Sequence, residues 1–130
     1  MYEVIDCESR FPATIWSVRQ LGLPKGFAGE VTYSLYVDEV MAASGLEESF
    51  VVDSQGRKVA YFAWSVGADA HHKGDILDLN SVVINPYVEA PGIQKFLSKH
   101  FKTLARLNDC SWISRCKHES GTLRIYFKEV

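Results

Sequence analysis

The spacing of apolar residues changes several times along the chain, and each change predicts an element boundary. Residues 2–7, YEVIDC, alternate well enough for a short first strand. In RFPATIWSVRQLG, Pro12 stands where a first helical turn tolerates it, and Ile15, Val18 and Leu21 line one face, which predicts a helix. AGEVTYSLYVDEVMAASG is apolar almost all round, and Gly45 supplies a helical stop after Met41, Ala42 and Ala43.

From Phe50 the period shortens. FVVDSQGRKVAYFAWSV reads as two strands joined by Asp53–Arg57, a hairpin in which Gly56 supplies the positive φ. GADAHHKGD reads as a loop, and ILDLNSVVINP as a strand closed by Pro86, which cannot donate to a ladder. From Pro91 to about Leu107, Ile93, Phe96, Leu97, Phe101 and Leu104 fall at helical spacing. Lys95, Lys99, Lys102 and Arg106 fall opposite, the arrangement of an amphipathic helix whose basic side is its wet side. CSWISRCKH predicts a further strand. In TLRIYFKEV, Leu123, Ile125 and Phe127 alternate inward against Arg124, Tyr126 and Lys128, which predicts a closing hairpin, with a terminal helix as the alternative.

The order is strand, two helices, hairpin, strand, long helix, strand and a final element. It predicts an α/β (α+β) protein with a mixed, mostly antiparallel central sheet and flanking helices. At 130 residues, 47% hydrophobic and 23% charged, the chain is expected to form one domain over residues 1–130. A net charge of −2 gives no global reason to expect nucleic acid or an acidic membrane as partner. The N-terminus MYEVIDCESR lacks the form of a signal peptide, and no apolar run approaches the length of a membrane span, so a cytoplasmic protein is expected. Cys7, Cys110 and Cys116 are too few and too odd in number for a disulfide framework. The even spacing of Cys110 and Cys116 puts both on one strand face as small buried hydrophobes. No metal site is expected: His71 and His72 match no zinc spacing with Cys110, Cys116 or His118.

One stretch carries candidate chemistry. VINPYVEAPGIQKFL runs from a strand through a loop punctuated by proline and glycine into the long helix, a geometry that presents backbone amides to an anion. With the element order, it resembles the GNAT superfamily of N-acetyltransferases over roughly residues 1–118. That resemblance implies acetyl-CoA as cofactor, lying where the fourth strand splays from the fifth, with its pyrophosphate on the loop before the long helix. Ile84-Asn85-Pro86 looks like the family's Val-x-Pro strand end, and the Arg/Gln-x-x-Gly-x-Gly/Ala motif falls on Glu89 to Gln94. The implied cofactor residues are Val83, Ile84, Glu89, Gly92, Ile93, Gln94 and Lys95.

Gly92 keeps the motif's central glycine. Glu89 places a carboxylate near the phosphates, Gln94 replaces a small residue, and Pro91 removes a donor from the loop. The family's fourth helix is expected to be missing or its following strands cut away, a C-terminally truncated member whose style is similar to bacteriophage versions. Acetyl transfer needs a base and an acid, for which the candidates are Glu39, Asp75 or Asp78 and, at the family's Tyr-x-Lys positions, Tyr126 with Lys128. Plainer readings stand beside these: Asp78 as a solvent-facing strand residue, Asp75 as a loop end, Tyr126 as a cross-strand packing residue. Two functions follow. One is an acetyltransferase-like enzyme with a degenerate phosphate loop; the other is a non-catalytic phage protein of virion, assembly or host interaction, working through a protein partner in the host cytoplasm or the virion.

Overall fold

The computed structural model describes residues 1–7, 16, 18, 22–119 and 122–130, apart from the side chains of 41–44, 118, 119, 122 and 123. The elements are β1 (Glu3–Asp6), α1 (Glu30–Ser44), β2 (Glu47–Val52), β3 (Lys58–Asp69), β4 (His72–Ile84), α2 (Ile93–Leu107), β5 (Cys110–Glu119) and β6 (Thr122–Glu129). Among the described residues six strands form one sheet in chain order, β1 to β6. β1–β2 and β5–β6 are antiparallel, whereas β4–β5 is parallel. The helix predicted over 12–21 lies outside the described residues except at Trp16 and Val18, which are helical. By internal contact the chain divides into two compact units.

The first unit is Met1–Tyr61 with Val83–Glu89. α1 ends where the sequence predicts, at Gly45 with φ 66, a left-handed conformation that glycine adopts without penalty. The β2–β3 turn is held by Asp53, whose Oδ1 accepts the amides of Gln55 and Arg57, both at 2.9 Å. That carboxylate takes over the backbone's polar groups where the ladder stops, which explains why so short a turn holds its register. Val51 and Val59 are completely buried, and Phe50 meets Trp16 and Tyr61 edge-on. Asn85 fastens the end of β4: its amide N–H donates to Val59 O at 2.9 Å and its Nδ2 to Lys58 O at 3.1 Å. Pro86 follows with no amide to offer, so pairing stops there.

The second unit is Phe62–Val82 with Ala90–Val130. α2 buries the line Ile93, Leu97, Phe101 and Ala105, four residues apart, as the 3.6-residue period requires. Phe101 packs edge-on against Phe62 at 5.2 Å. Two expectations change here. GADAHHKGD is not a nine-residue loop, because β3 runs on to Asp69 and β4 starts at His72. These strand ends are mostly exposed, so polar residues occupy both faces and leave no alternation to read. The last segment is a strand, as first predicted, but its faces are not inward and outward. Ile125 is 52% exposed and Tyr126 50%, because β6 is the last strand of the sheet.

Candidate functional site

The decisive geometry lies between β4 and β5. Their parallel pairing runs from Asp75↔Cys110, past a bulge, through Ile76↔Trp112 to Leu79↔Arg115. There the register ends, although β4 continues to Ile84 and β5 to Glu119. Two neighbouring strands that stop pairing while both continue leave backbone donors and acceptors facing an open notch, into which an extended chain can insert as a further strand would. β5 is occupied on its other side, where β6 pairs with it from Trp112↔Glu129 to Glu119↔Thr122. Only two residues separate β5 from β6, so the helix that the family resemblance implied between them is absent.

At the head of α2, Gly92 has φ 74 and forms the N-cap. Only glycine takes that conformation readily, and a Cβ built there would meet nothing within 4 Å, so the approach to the helix terminus is open. The dipole end and the first-turn amides favour an anion. One of the amides assigned to it is already engaged: Ile93 N–H donates to Ala90 O at 3.2 Å. Gln94 and Lys95 are exposed on the first turn. Within the first unit, Val83 is buried, Ile84 half-buried and Glu89 exposed.

Of the acid–base candidates, Asp78 is the one built into a polar contact. Ser114 Oγ donates to Asp78 Oδ1 at 2.9 Å, and the two residues are paired in register. Burial raises the Cys116 thiol above its ordinary value, and the nearby Asp78 carboxylate adds to this. Asp75 lies at the other end of the paired stretch, opposite Cys110, and the odd spacing sets it on the opposite face from Asp78. Tyr126 pairs with Arg115, one rung beyond the rung that joins Asp78, Ser114 and Phe127, so Tyr126 faces the side opposite Asp78. Glu39 is exposed on α1.

His72 is held in place by its neighbours. His72 Nδ1 lies 3.0 Å from Asp69 Oδ1, and its ring stacks on Phe127 at 3.8 Å and meets Trp112 edge-on. Among the described residues no group of three or more His, Cys, Asp or Glu is placed to hold a metal.

Two features escaped the sequence. One is Tyr61, whose hydroxyl donates to Glu48 at 2.7 Å; burial, then that bond, pushes its phenol far above the ordinary tyrosine value. The other is a cleft of about 160 Å³ between α2 and the β5–β6 hairpin. Neither has a sequence signal, since each joins residues from separate elements.

Comparison with solved structures places this architecture. The glucosamine-6-phosphate N-acetyltransferase of Arabidopsis thaliana superposes with a TM-score of 0.61 over 92% of this chain and 84% of its own, at 10% identity. A Trypanosoma brucei acetyltransferase gives 0.62 over 92% and 84%, at 15% identity. A predicted acetyltransferase from Clostridium acetobutylicum, solved with acetyl-CoA, gives 0.59 over 93% and 84%, at 15% identity. The fold is therefore that of the GNAT acetyltransferases. No family model matches the chain. Protein 7 of Escherichia phage T7 is 60% identical over 130 residues, 99% of this chain and 98% of that protein. The chain belongs to the family of phage T7 Protein 7. It is thus a phage-type protein with the acetyltransferase fold, and among its described residues no helix is long and apolar enough to cross a membrane.

Proposed function

We propose that this member of the Protein 7 family binds acyl-CoA in the β4–β5 notch, with an altered phosphate loop, and transfers acetyl to an amine. What supports the reading is the end of parallel pairing at Leu79↔Arg115 while both strands continue. The residues fit the group in part: the notch offers unpaired backbone, and the terminus of α2 is open at Gly92. Gly92, Gln94 and Lys95 amides would hold the pyrophosphate, with the Ile93 amide shared with Ala90. When bound, acetyl-CoA supplies an acetyl group on a thioester. Asp78 would accept the amine proton as the nitrogen–carbon bond forms, while Ser114 fixes its carboxylate. Tyr126 faces the opposite side of the sheet from Asp78 and would not reach the same thioester, so the sulfur would take its proton from solvent as the carbon–sulfur bond breaks. Asp75, at the far end of the paired stretch, has no part in this scheme.

A second reading is a non-catalytic assembly or host-interaction protein, acting in the host cytoplasm or the virion. It is favoured by the direct passage from β5 into β6, which leaves the acyl-transfer half of the fold without its implied helix. Calorimetric titration of acetyl-CoA and CoA separates the two, using the natural chain and a Glu89→Arg, Gln94→Gly variant. Micromolar binding by the natural chain, with thiol release when an amine is added, supports the first reading. Binding that emerges only in the variant supports the second, and binding by neither overturns the first.

A further inference from the structure

The cleft beside α2 combines an apolar floor with a cationic rim. Leu79, Leu97, Phe101 and Ile113 are 2%, 2%, 6% and 8% exposed and close its base. Its volume of about 160 Å³ matches a single benzene-sized group, since a cavity of about 150 Å³ holds benzene. Around the opening stand Lys102 from α2, Arg115 from β5 and Lys128 from β6. Among the described residues none of these three has an ion-pair partner.

The sheet register explains the convergence. Ile113 pairs with Lys128 and Arg115 with Tyr126, so Arg115 and Lys128 rise on the face that carries α2. Three cations from three elements repel one another in a chain whose net charge is −2. An external anion would relieve that repulsion.

We propose that this cleft docks an acidic protein segment that inserts one aromatic or leucine side chain. The chemistry selects this occupant over two others. In a second copy paired antiparallel through β6 about Tyr126, Arg124 would lie opposite Lys128, and like charges directly opposed are unfavourable. A nucleic acid satisfies the rim with its phosphates, but its bases carry polar edges for which the floor of Leu79, Leu97, Phe101 and Ile113 offers no side-chain partner. An acidic segment with one large apolar residue satisfies both, in the manner of an anchor surrounded by polar contacts. The inference does not rest on cofactor binding.

The test is fluorescence anisotropy on the full chain, without CoA, so its outcome is independent of the acyl-CoA reading. The probe is a fluorescein-labelled polyglutamate peptide with one central phenylalanine; comparators carry serine at the centre or are single-stranded oligothymidylate. The phenylalanine peptide is expected to bind at least about tenfold more tightly than the serine peptide, one buried apolar side chain being worth that much. Arg115→Glu with Lys128→Glu is expected to weaken it by about tenfold or more. Ser98→Trp, at an exposed lining position, is expected to fill the cleft and reduce phenylalanine-peptide binding to the serine level. Circular dichroism checks that each variant is folded. Equal binding of the two peptides, tighter binding of the oligonucleotide, or folded variants that bind like the natural chain would each overturn the proposal.

Discussion

Ser114 and Asp78 face each other across the parallel β4–β5 pair, hydroxyl to carboxylate at 2.9 Å, one rung before that pairing ends at Leu79↔Arg115. A hydrogen bond to a charged group contributes about 1.5–3 kcal/mol, and Asp78 is only half-buried, so Ser114→Ala is expected to cost about 1–2 kcal/mol in urea unfolding. Asp78→Asn tests the base directly. Thiol release from acetyl-CoA should fall roughly 10²–10⁴-fold with CoA affinity retained, and unchanged release would remove Asp78 from that role.

Gly74 is fixed by a close neighbour. It has φ +97, and an added Cβ would lie 2.5 Å from Ser111 Oγ and 3.0 Å from Ser111 Cβ. Left-handed strain of about 1–2 kcal/mol and overpacking of about 1–3 kcal/mol both oppose a side chain. Gly74→Ala should therefore destabilise by roughly 2–5 kcal/mol. Gly74→Ala with Ser111→Gly should recover the overpacking part alone, which a double-mutant cycle of thermal unfolding can measure.

Stability is expected to fall in two acid windows. Burial between Phe62 and Phe96 lowers the His100 value, so the unfolded chain binds the proton more readily. Its contribution is complete above the ordinary histidine value of about 6.5 and declines as pH drops through and below it. Asp69 is held below the ordinary aspartate value by its hydrogen bond to His72, then by the His71 amide. Its contribution is present above about 3.9 and lost as pH falls toward its lowered folded value. Urea midpoints measured across pH should lose the upper window in His100→Phe and the lower one in Asp69→Asn; a profile unaltered by either change would contradict the assignment.

Cys7 should be the inert thiol. Burial first, then Glu48, pushes it up to about 12, against an ordinary value of about 8.5. At pH 8 the thiolate fraction is then on the order of 10⁻⁴. Iodoacetamide followed by peptide mass spectrometry should find Cys7 unmodified in the native chain and labelled in urea. Rapid native labelling would mean that its strand end opens readily.

Much of this architecture was legible in the chain. The Asp53–Arg57 turn announces itself because the carboxylate and Gly56 that close it are neighbours in sequence. α2 is equally plain, since its buried line repeats every fourth residue. Asp78 was a candidate from the sequence, but its partner is 36 residues away and depends on a register that no local pattern encodes. Lys102 belonged to a regular stripe that reads as the wet side of a helix. Only the cross-strand pairing of β5 and β6 brings Arg115 and Lys128 to its side. The acetyltransferase fold was readable from element order, whereas the direct β5–β6 junction left the final segment open to two readings.

Because the six strands lie in the sheet in the order in which they occur in the chain, every strand finds its neighbour next in sequence. Three of the five junctions close across short connections, at residues 53–57, 70–71 and 120–121, while β1 must wait for β2 across residues 7–46 and β4 for β5 across residues 85–109, which include α2. Early local closure favours fast folding, and the two junctions with long connections, β1–β2 and the parallel β4–β5, are the natural late steps. A chain emerging from the ribosome can thus join β2, β3 and β4 through short turns as they appear, while β1, the first strand made, waits for β2.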